Sequence, residues 1–144
     1  MITIAIACDH AGYEMKEMVA GFVESMDYRV LDLGTYSTES VDYPEYGKKC
    51  AEAVASGEAD RGIVICGTGI GISMAANKVK GIRCALCTSE EMAELSRRHN
   101  DANMLALGAR TTEITLALNI VGKWLVTPFD GDRHERRVAM LNEM

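Results

Sequence analysis

The sequence lacks the marks of several large classes of protein. Basic residues are in the minority, 15 Lys and Arg against 21 Asp and Glu, which gives a net charge of −6. This balance removes the broad basic surface that nucleic-acid binding usually needs. No apolar run reaches the ~18 residues of a membrane span. We therefore expect neither a nucleic acid nor a membrane as a partner.

An export signal and a disulfide framework are also missing. The first ten residues, MITIAIACDH, are apolar but carry no positively charged segment, so they do not predict a signal peptide. The cysteines number five, at positions 8, 50, 66, 84 and 87, and an odd count argues against paired disulfides. We expect free thiols and a cytoplasmic location. Cys84 and Cys87 form a CxxC pair, but on a strand they face opposite sides and are interpreted as core residues.

The composition is that of a globular protein, with 48% hydrophobic and 25% charged residues. Short apolar runs alternate with amphipathic stretches. Strands are predicted over residues 2–8, 28–33, 62–66, 82–87 and 103–107. Helices are predicted around residues 15–26, over 44–55 and 70–78, from a cap at Thr88 to about 98, over 112–125 and over 133–142. Thr88 with Glu91, and Asp132 with Glu135, are predicted capping pairs.

This alternation predicts one α/β domain over residues 1–144, with a five-stranded parallel sheet, helices on both faces and a C-terminal helix at about 132–143. In such a doubly wound fold, ligands bind at the carboxyl edge of the sheet, where the strand order reverses. The loops after the first and third strands, Cys8–Gly12 and Cys66–Ser73, flank that point. They carry most of the reactive side chains.

The turn Gly67-Thr68-Gly69-Ile70-Gly71 leads from a strand into a helix, so its backbone N–H groups can bind an anion. A dinucleotide fingerprint fails because Ile72 replaces its last glycine, and no Gly-Lys-Ser/Thr of a P-loop follows. A helix N-terminus favours the thiolate of Cys66, which could remove a proton alpha to a carbonyl. The alternatives are a packing turn and a buried strand cysteine.

Other polar residues have weaker signals. His10 is a candidate anion ligand and Asp9 a candidate partner for a sugar hydroxyl, whereas Cys8, Asp9 and His10 are too close in sequence to make a convincing metal site. Arg133 and Arg137 are one helical turn apart, so a phosphate could bridge them, although a solvated face is equally compatible. Arg110 follows the fifth strand, at the same edge as Cys66.

His99 and Asn100 precede the fifth strand and should therefore lie at the opposite edge from Cys66. If they act with Cys66, a second subunit must supply them. A histidine that only caps its own helix is the alternative.

Several motifs together resemble the ribose-5-phosphate isomerase B family. They are ACDHAG, DYP at 42–44, ICGTGIGISMAANK at 65–78, SRRHNDANMLALGAR at 96–110 and GDRHERRV near the C-terminus. The resemblance implies a Rossmann-like doubly wound fold, a dimer or tetramer with sites shared between subunits, and an aldose–ketose isomerase that needs neither a metal nor another cofactor. The cysteine places the chain in the branch of the family that uses a cysteine base.

The resemblance also implies a role for each matching residue. Cys66 is the base, Thr68 assists proton exchange between the oxygens, and His99 opens the sugar ring. Asp9 and Asn100 bind the sugar, and the amides from Gly67 to Gly71 stabilise an enediolate. Four residues hold the phosphate: His10, Arg110, Arg133 and Arg137.

The resulting hypothesis is a sugar-phosphate isomerase that interconverts ribose 5-phosphate and ribulose 5-phosphate. Allose 6-phosphate or another rare sugar is the alternative substrate. A sugar-phosphate-binding protein without catalytic activity and a redox protein using Cys66 or the Cys84/Cys87 pair are the alternatives from other classes.

Overall fold

The sheet of the protein is fully parallel, as predicted. The computed structural model describes residues 1–144. The strands are β1 (Thr3–Cys8), β2 (Arg29–Asp32), β3 (Arg61–Cys66), β4 (Cys84–Leu86) and β5 (Met104–Gly108). The helices are α1 (Tyr13–Ser25), α2 (Tyr43–Ala55), α3 (Ile70–Asn77), α4 (Glu90–Arg98), α5 (Ile114–Val126) and α6 (Arg133–Glu143). None of these helices has both the length and the apolar character needed to cross a membrane.

The strand order is β2-β1-β3-β5-β4, so the direction of winding reverses between β1 and β3. This confirms the doubly wound α/β fold and places the loops after β1 and β3 next to each other. Both strands are buried on both faces, as their continuous apolar sequences indicate. The observed β4 has only three residues, shorter than predicted, and lies at the edge of the sheet.

Two hydrophobic clusters hold the helices to the sheet. Helices α1, α4 and α5 pack on one face, against Ile63, Leu105 and neighbouring side chains of the sheet. Helices α2 and α3 pack on the other face, against Val64, Cys66 and their neighbours. Because strand side chains alternate between faces, Cys87 joins the first cluster and Cys84 packs against the second. The prediction that these two thiols face opposite sides is confirmed.

Both predicted capping pairs are wrong. Helix α4 is capped by Ser89, whose hydroxyl accepts a hydrogen bond from the Met92 N–H at 3.1 Å, because the helix begins one residue later than expected. Asp132 does occupy the N-cap of α6, but its carboxylate makes no capping bond. Its φ of 56° departs from the extended conformation from which a capping side chain reaches the helix amides.

Candidate active site

The thiol of Cys66 lies at the first turn of α3. Its Sγ accepts a hydrogen bond from the Gly69 N–H at 3.2 Å, and the Thr68 hydroxyl accepts one from the Ile70 N–H at the same distance. The amides of Gly67 and Gly71 have no acceptor within the chain. Free N–H groups at a helix N-terminus form an anion site. The thiol and the anion site predicted from sequence are therefore neighbours.

The loop after β1 lines the same edge of the sheet. Asp9 is buried, and its carboxylate accepts a hydrogen bond from the Gly12 N–H at 3.1 Å. His10 Nδ1 accepts one from the Val41 N–H, also at 3.1 Å. In the neutral imidazole this assigns the proton to Nε2, which can then donate to a ligand.

Arg110 is held beside the glycine-rich turn by its backbone. Its N–H donates to the Gly67 carbonyl at 2.9 Å, and its side chain passes so close to Gly67 that a Cβ there would meet it at 3.3 Å. The carboxyl edge thus brings together a large part of the predicted site: Asp9, His10, Cys66, Gly67, Thr68, Gly69, Ile70, Gly71 and Arg110.

Tyr43 also lines this edge of the sheet, although it was not predicted as a site residue. Its ring lies against the first turn of α3, where a Cβ on Gly71 would come within 2.6 Å of it. The ring is partly exposed, and Val41, two residues earlier, is bonded to His10. The loop before α2 is therefore attached to both of the loops that carry the predicted site. The DYP motif was the available signal.

The remaining predicted residues lie at the opposite edge of the sheet, as expected from the order of the elements. His99 ends α4, and Asn100 follows it before β5 begins. Because β5 runs from Met104 to Gly108 and a strand rises ~3.3 Å per residue, about 13 Å of strand separates this edge from that of Cys66. Within one chain, His99 and Asn100 do not meet the thiol.

Helix α6 lies beside His99 at this opposite edge of the sheet. Asp130, just before α6, donates its N–H to the Arg98 carbonyl and pairs with the Arg98 guanidinium at 3.2 Å. The ring of His134 stacks on that of His99, with 4.4 Å between centroids and 13° between planes. His134 was not predicted as a site residue, although it lies between Arg133 and Arg137, which were.

Comparison with known proteins shows the family to which the chain belongs. The model of the Ribose/Galactose Isomerase family matches residues 4–141. The chain belongs to this family. Ribose-5-phosphate isomerase B of Escherichia coli is 48% identical over 98% of this chain and 95% of its own length.

Solved structures of the Ribose/Galactose Isomerase family have the same fold. Ribose-5-phosphate isomerase B of Clostridium thermocellum superposes with a TM-score of 0.97, at 57% identity and over 99% of this chain and 96% of that one. The enzyme of Mycoplasma genitalium, solved with bound ribulose 5-phosphate, gives 0.93 at 39% identity, over 99% and 95% of the two chains. The chain is an enzyme, an aldose–ketose isomerase of the Ribose/Galactose Isomerase family.

Of the nine arginines, three form ion pairs and six do not. Arg83, Arg97 and Arg98 each pair with a carboxylate within 4 Å. The other six have no carboxylate within that distance, and five of these are exposed: Arg29, Arg110, Arg133, Arg136 and Arg137. Unpaired guanidinium groups are available to an anionic substrate, and their forked donors suit a phosphate. The exposed, unpaired set includes the three arginines predicted to hold phosphate, Arg110, Arg133 and Arg137.

The other four cysteines are suited to packing. Burial raises the pKa of the Cys8 and Cys50 thiols to about 12 and that of Cys87 to about 11, and it raises the pKa of Cys84 as well. At neutral pH these groups are protonated and poor nucleophiles. Cys84 and Cys87 lie on opposite faces of the sheet, which does not favour the redox alternative.

Proposed function

We propose that this isomerase interconverts ribose 5-phosphate and ribulose 5-phosphate through a cis-enediolate, with Cys66 as the base. One observation carries the proposal: the Cys66 sulfur lies at the first turn of α3, beside amides that have no partner. The names of the relatives, and the ribulose 5-phosphate bound to one of them, support this choice of sugar.

The proton transfers balance without an oxidant or a metal. After the sugar ring has opened, the Cys66 thiolate takes the proton from C2, and the electron pair left behind forms the C1=C2 double bond of the enediolate. The negative charge on O1 is stabilised by the N–H groups at the start of α3. Thr68 passes a proton between O2 and O1, and the thiol then returns its proton to C1. The product is the ketose.

The phosphate and the ring oxygen need groups from both edges of the sheet. His10 and Arg110 lie at the Cys66 edge, whereas His99, Asn100 and the two arginines of α6 lie at the other. We propose that the active unit is a homodimer, or a homotetramer built from such dimers, in which the far edge of one copy completes the near edge of the next. In this arrangement Asp9 and Asn100 bind the sugar, and His99 gives a proton to the ring oxygen.

All 144 residues then act as one isomerase domain, with α6 serving the phosphate site of the neighbouring copy. The unpaired state of Arg133 and Arg137 supports this role, because a like-charged pair one turn apart destabilises a free helix and a bound phosphate reverses the effect. A cytoplasmic location fits a metabolic sugar phosphate as substrate.

The test is isomerisation of ribose 5-phosphate and allose 6-phosphate side by side, with excess chelator, for the wild type, Cys66→Ala and Cys87→Ala. Cys87 is the matched control, a buried thiol outside the proposed site. We expect turnover that survives the chelator, is lost in Cys66→Ala and persists in Cys87→Ala, with ribose 5-phosphate the faster substrate. Full activity of Cys66→Ala would exclude the thiol as base, and a faster reaction of allose 6-phosphate would replace the assigned sugar.

A further inference from the structure

We propose that His134 is a positioning residue for ring opening: its buried imidazole holds the ring of His99 by stacking on it. The inference rests on the proposed function, because it takes His99 as the proton donor to the ring oxygen. It adds to that function a residue whose role is separate from phosphate binding, although two of its neighbours on α6 are the proposed phosphate ligands.

The contact between the two rings is well defined. The centroids are 4.4 Å apart and the planes nearly parallel, and His134 is only 8% exposed. His99 lies at the C-cap of α4, a position from which an imidazole can turn freely unless something packs against it. The stacked ring restricts that rotation.

The two helices that carry the histidines are also joined around the contact. The Arg98–Asp130 ion pair and the hydrogen bond from the Asp130 N–H to the Arg98 carbonyl, 3.1 Å long, connect the end of α4 to the segment before α6. The backbone N–H of His134 donates to the Gly131 carbonyl at the same distance. These bonds hold the end of α4 and the start of α6 together, and with them the two stacked rings.

The charges around His134 favour its neutral form. Burial lowers the pKa of His134, and the charges of His99, Arg133 and Arg137 lower it further, while the Asp130 carboxylate acts in the opposite direction. Two stacked imidazolium ions would also repel each other. A neutral ring at His134 thus supports His99 without competing with it for the proton.

This arrangement suits a proton donor that must be aligned. Opening a furanose ring requires a proton at the ring oxygen as the C1–O bond breaks, and misalignment of such a group by about 1 Å can cost 10²-fold in rate. The reaction from ribulose 5-phosphate has no such requirement, because its C5 oxygen carries the phosphate and the ketose stays open. The reaction of ribose 5-phosphate therefore depends on both ring opening and proton transfer at carbon. The exchange of the C1 hydrogen of ribulose 5-phosphate depends on proton transfer alone.

The experiment compares His134→Ala, His134→Phe and the control Arg136→Ala, an exposed α6 residue with no ion pair. Two rates are measured for each: isomerisation starting from ribose 5-phosphate, and exchange of the C1 hydrogen of ribulose 5-phosphate with deuterated solvent. Thermal unfolding is recorded to compare the stability of the variants.

We expect His134→Ala to slow the reaction of ribose 5-phosphate by about tenfold or more while C1 exchange stays within about twofold of the wild type. His134→Phe, which keeps a flat ring at the contact, should recover most of the forward rate, and Arg136→Ala should match the wild type in both assays.

Three results would overturn the inference. Equal losses in both assays for His134→Ala would mean a general disturbance of the site. A Phe variant as slow as the Ala variant would mean that the imidazole itself is needed. An unchanged forward rate in His134→Ala would mean that the stack has no role. Failure of the proposed function is a different outcome, since the wild type would then catalyse neither reaction.

Discussion

Gly69 offers a quantitative test of how the first turn of α3 is built. Its φ is +79°, which L side chains rarely adopt, and a Cβ would lie 2.6 Å from Leu86 Cδ1 and 2.9 Å from the Leu107 backbone carbon. The left-handed conformation costs a residue other than glycine about 1–2 kcal/mol. The contact with backbone, which cannot move as a side chain can, adds about 1–3 kcal/mol. We expect Gly69→Ala to destabilise the fold by about 2–5 kcal/mol.

Two other glycines separate these contributions. Gly57 has a φ of +83° but nothing within 4 Å of a Cβ, so Gly57→Ala should cost about 1–2 kcal/mol from backbone strain alone. Gly21 lies inside α1 with no positive φ and open space around it, so Gly21→Ala should stabilise by about 0.5–1 kcal/mol.

The assay is urea and thermal unfolding of the three variants beside the wild type. For a domain of this size each kcal/mol shifts the melting temperature by roughly 2–4 °C. The melting temperature should therefore be highest for Gly21→Ala, lower for Gly57→Ala and lowest for Gly69→Ala. A Gly69 variant that loses no more stability than the Gly57 variant would refute the contact argument. A Gly57 variant as stable as the wild type would refute the strain argument.

Three further predictions concern charge and chemistry. Cys66→Ala should abolish turnover yet bind inorganic phosphate almost as well as the wild type by calorimetry; loss of the folded state instead would make the thiol a packing residue. Arg137→Ala should raise KM for ribose 5-phosphate about tenfold or more, as expected for a charge-assisted contact, but leave KM for free ribose almost unchanged. An equal rise in KM for both sugars would show that Arg137 does not bind the phosphate. Asp32→Asn should destabilise the fold by about 1.5–3 kcal/mol, because it removes the charge-assisted hydrogen bonds of the fully buried Lys16 ammonium, now 2.7 Å from Asp32, and leaves it only the Glu17 carboxylate at 3.5 Å. Burial lowers the pKa of Lys16, but the hydrogen bonds and charge of Asp32 outweigh this and raise it. The pair's stabilisation should therefore be complete at neutral pH and fall as the pH rises above about 10.4, in the wild type only.

Most of the fold could be predicted from sequence because its signals are local. The apolar runs that became β1 and β3 could only be buried on both faces, and the amphipathic stretches between strands required helices on both sides of the sheet. The exchange of β4 and β5 in the strand order could not be predicted, because it depends on pairing between distant segments.

The site could be predicted in part for the same reason. The residues of the Cys66 turn are consecutive, so their geometry follows from a strand-to-helix turn. Tyr43 and His134 owe their importance to partners far away in sequence, Gly71 and His99, and no local pattern reports such contacts. Lys16 is a third example, since nothing in its helix indicates that its ammonium is buried against Asp32.

In the proposed active unit, Cys66 of one copy works with His99 of another. Mixing Cys66→Ala with His99→Asn tests it most directly, under conditions in which subunits exchange and mass spectrometry verifies the mixed dimers. Each variant alone should be inactive on ribose 5-phosphate. An equal mixture should regain about a quarter of wild-type activity, because half of the dimers are mixed and each of these holds one intact site of two. A mixture with verified mixed dimers and no activity above that of its parents would contradict the shared site.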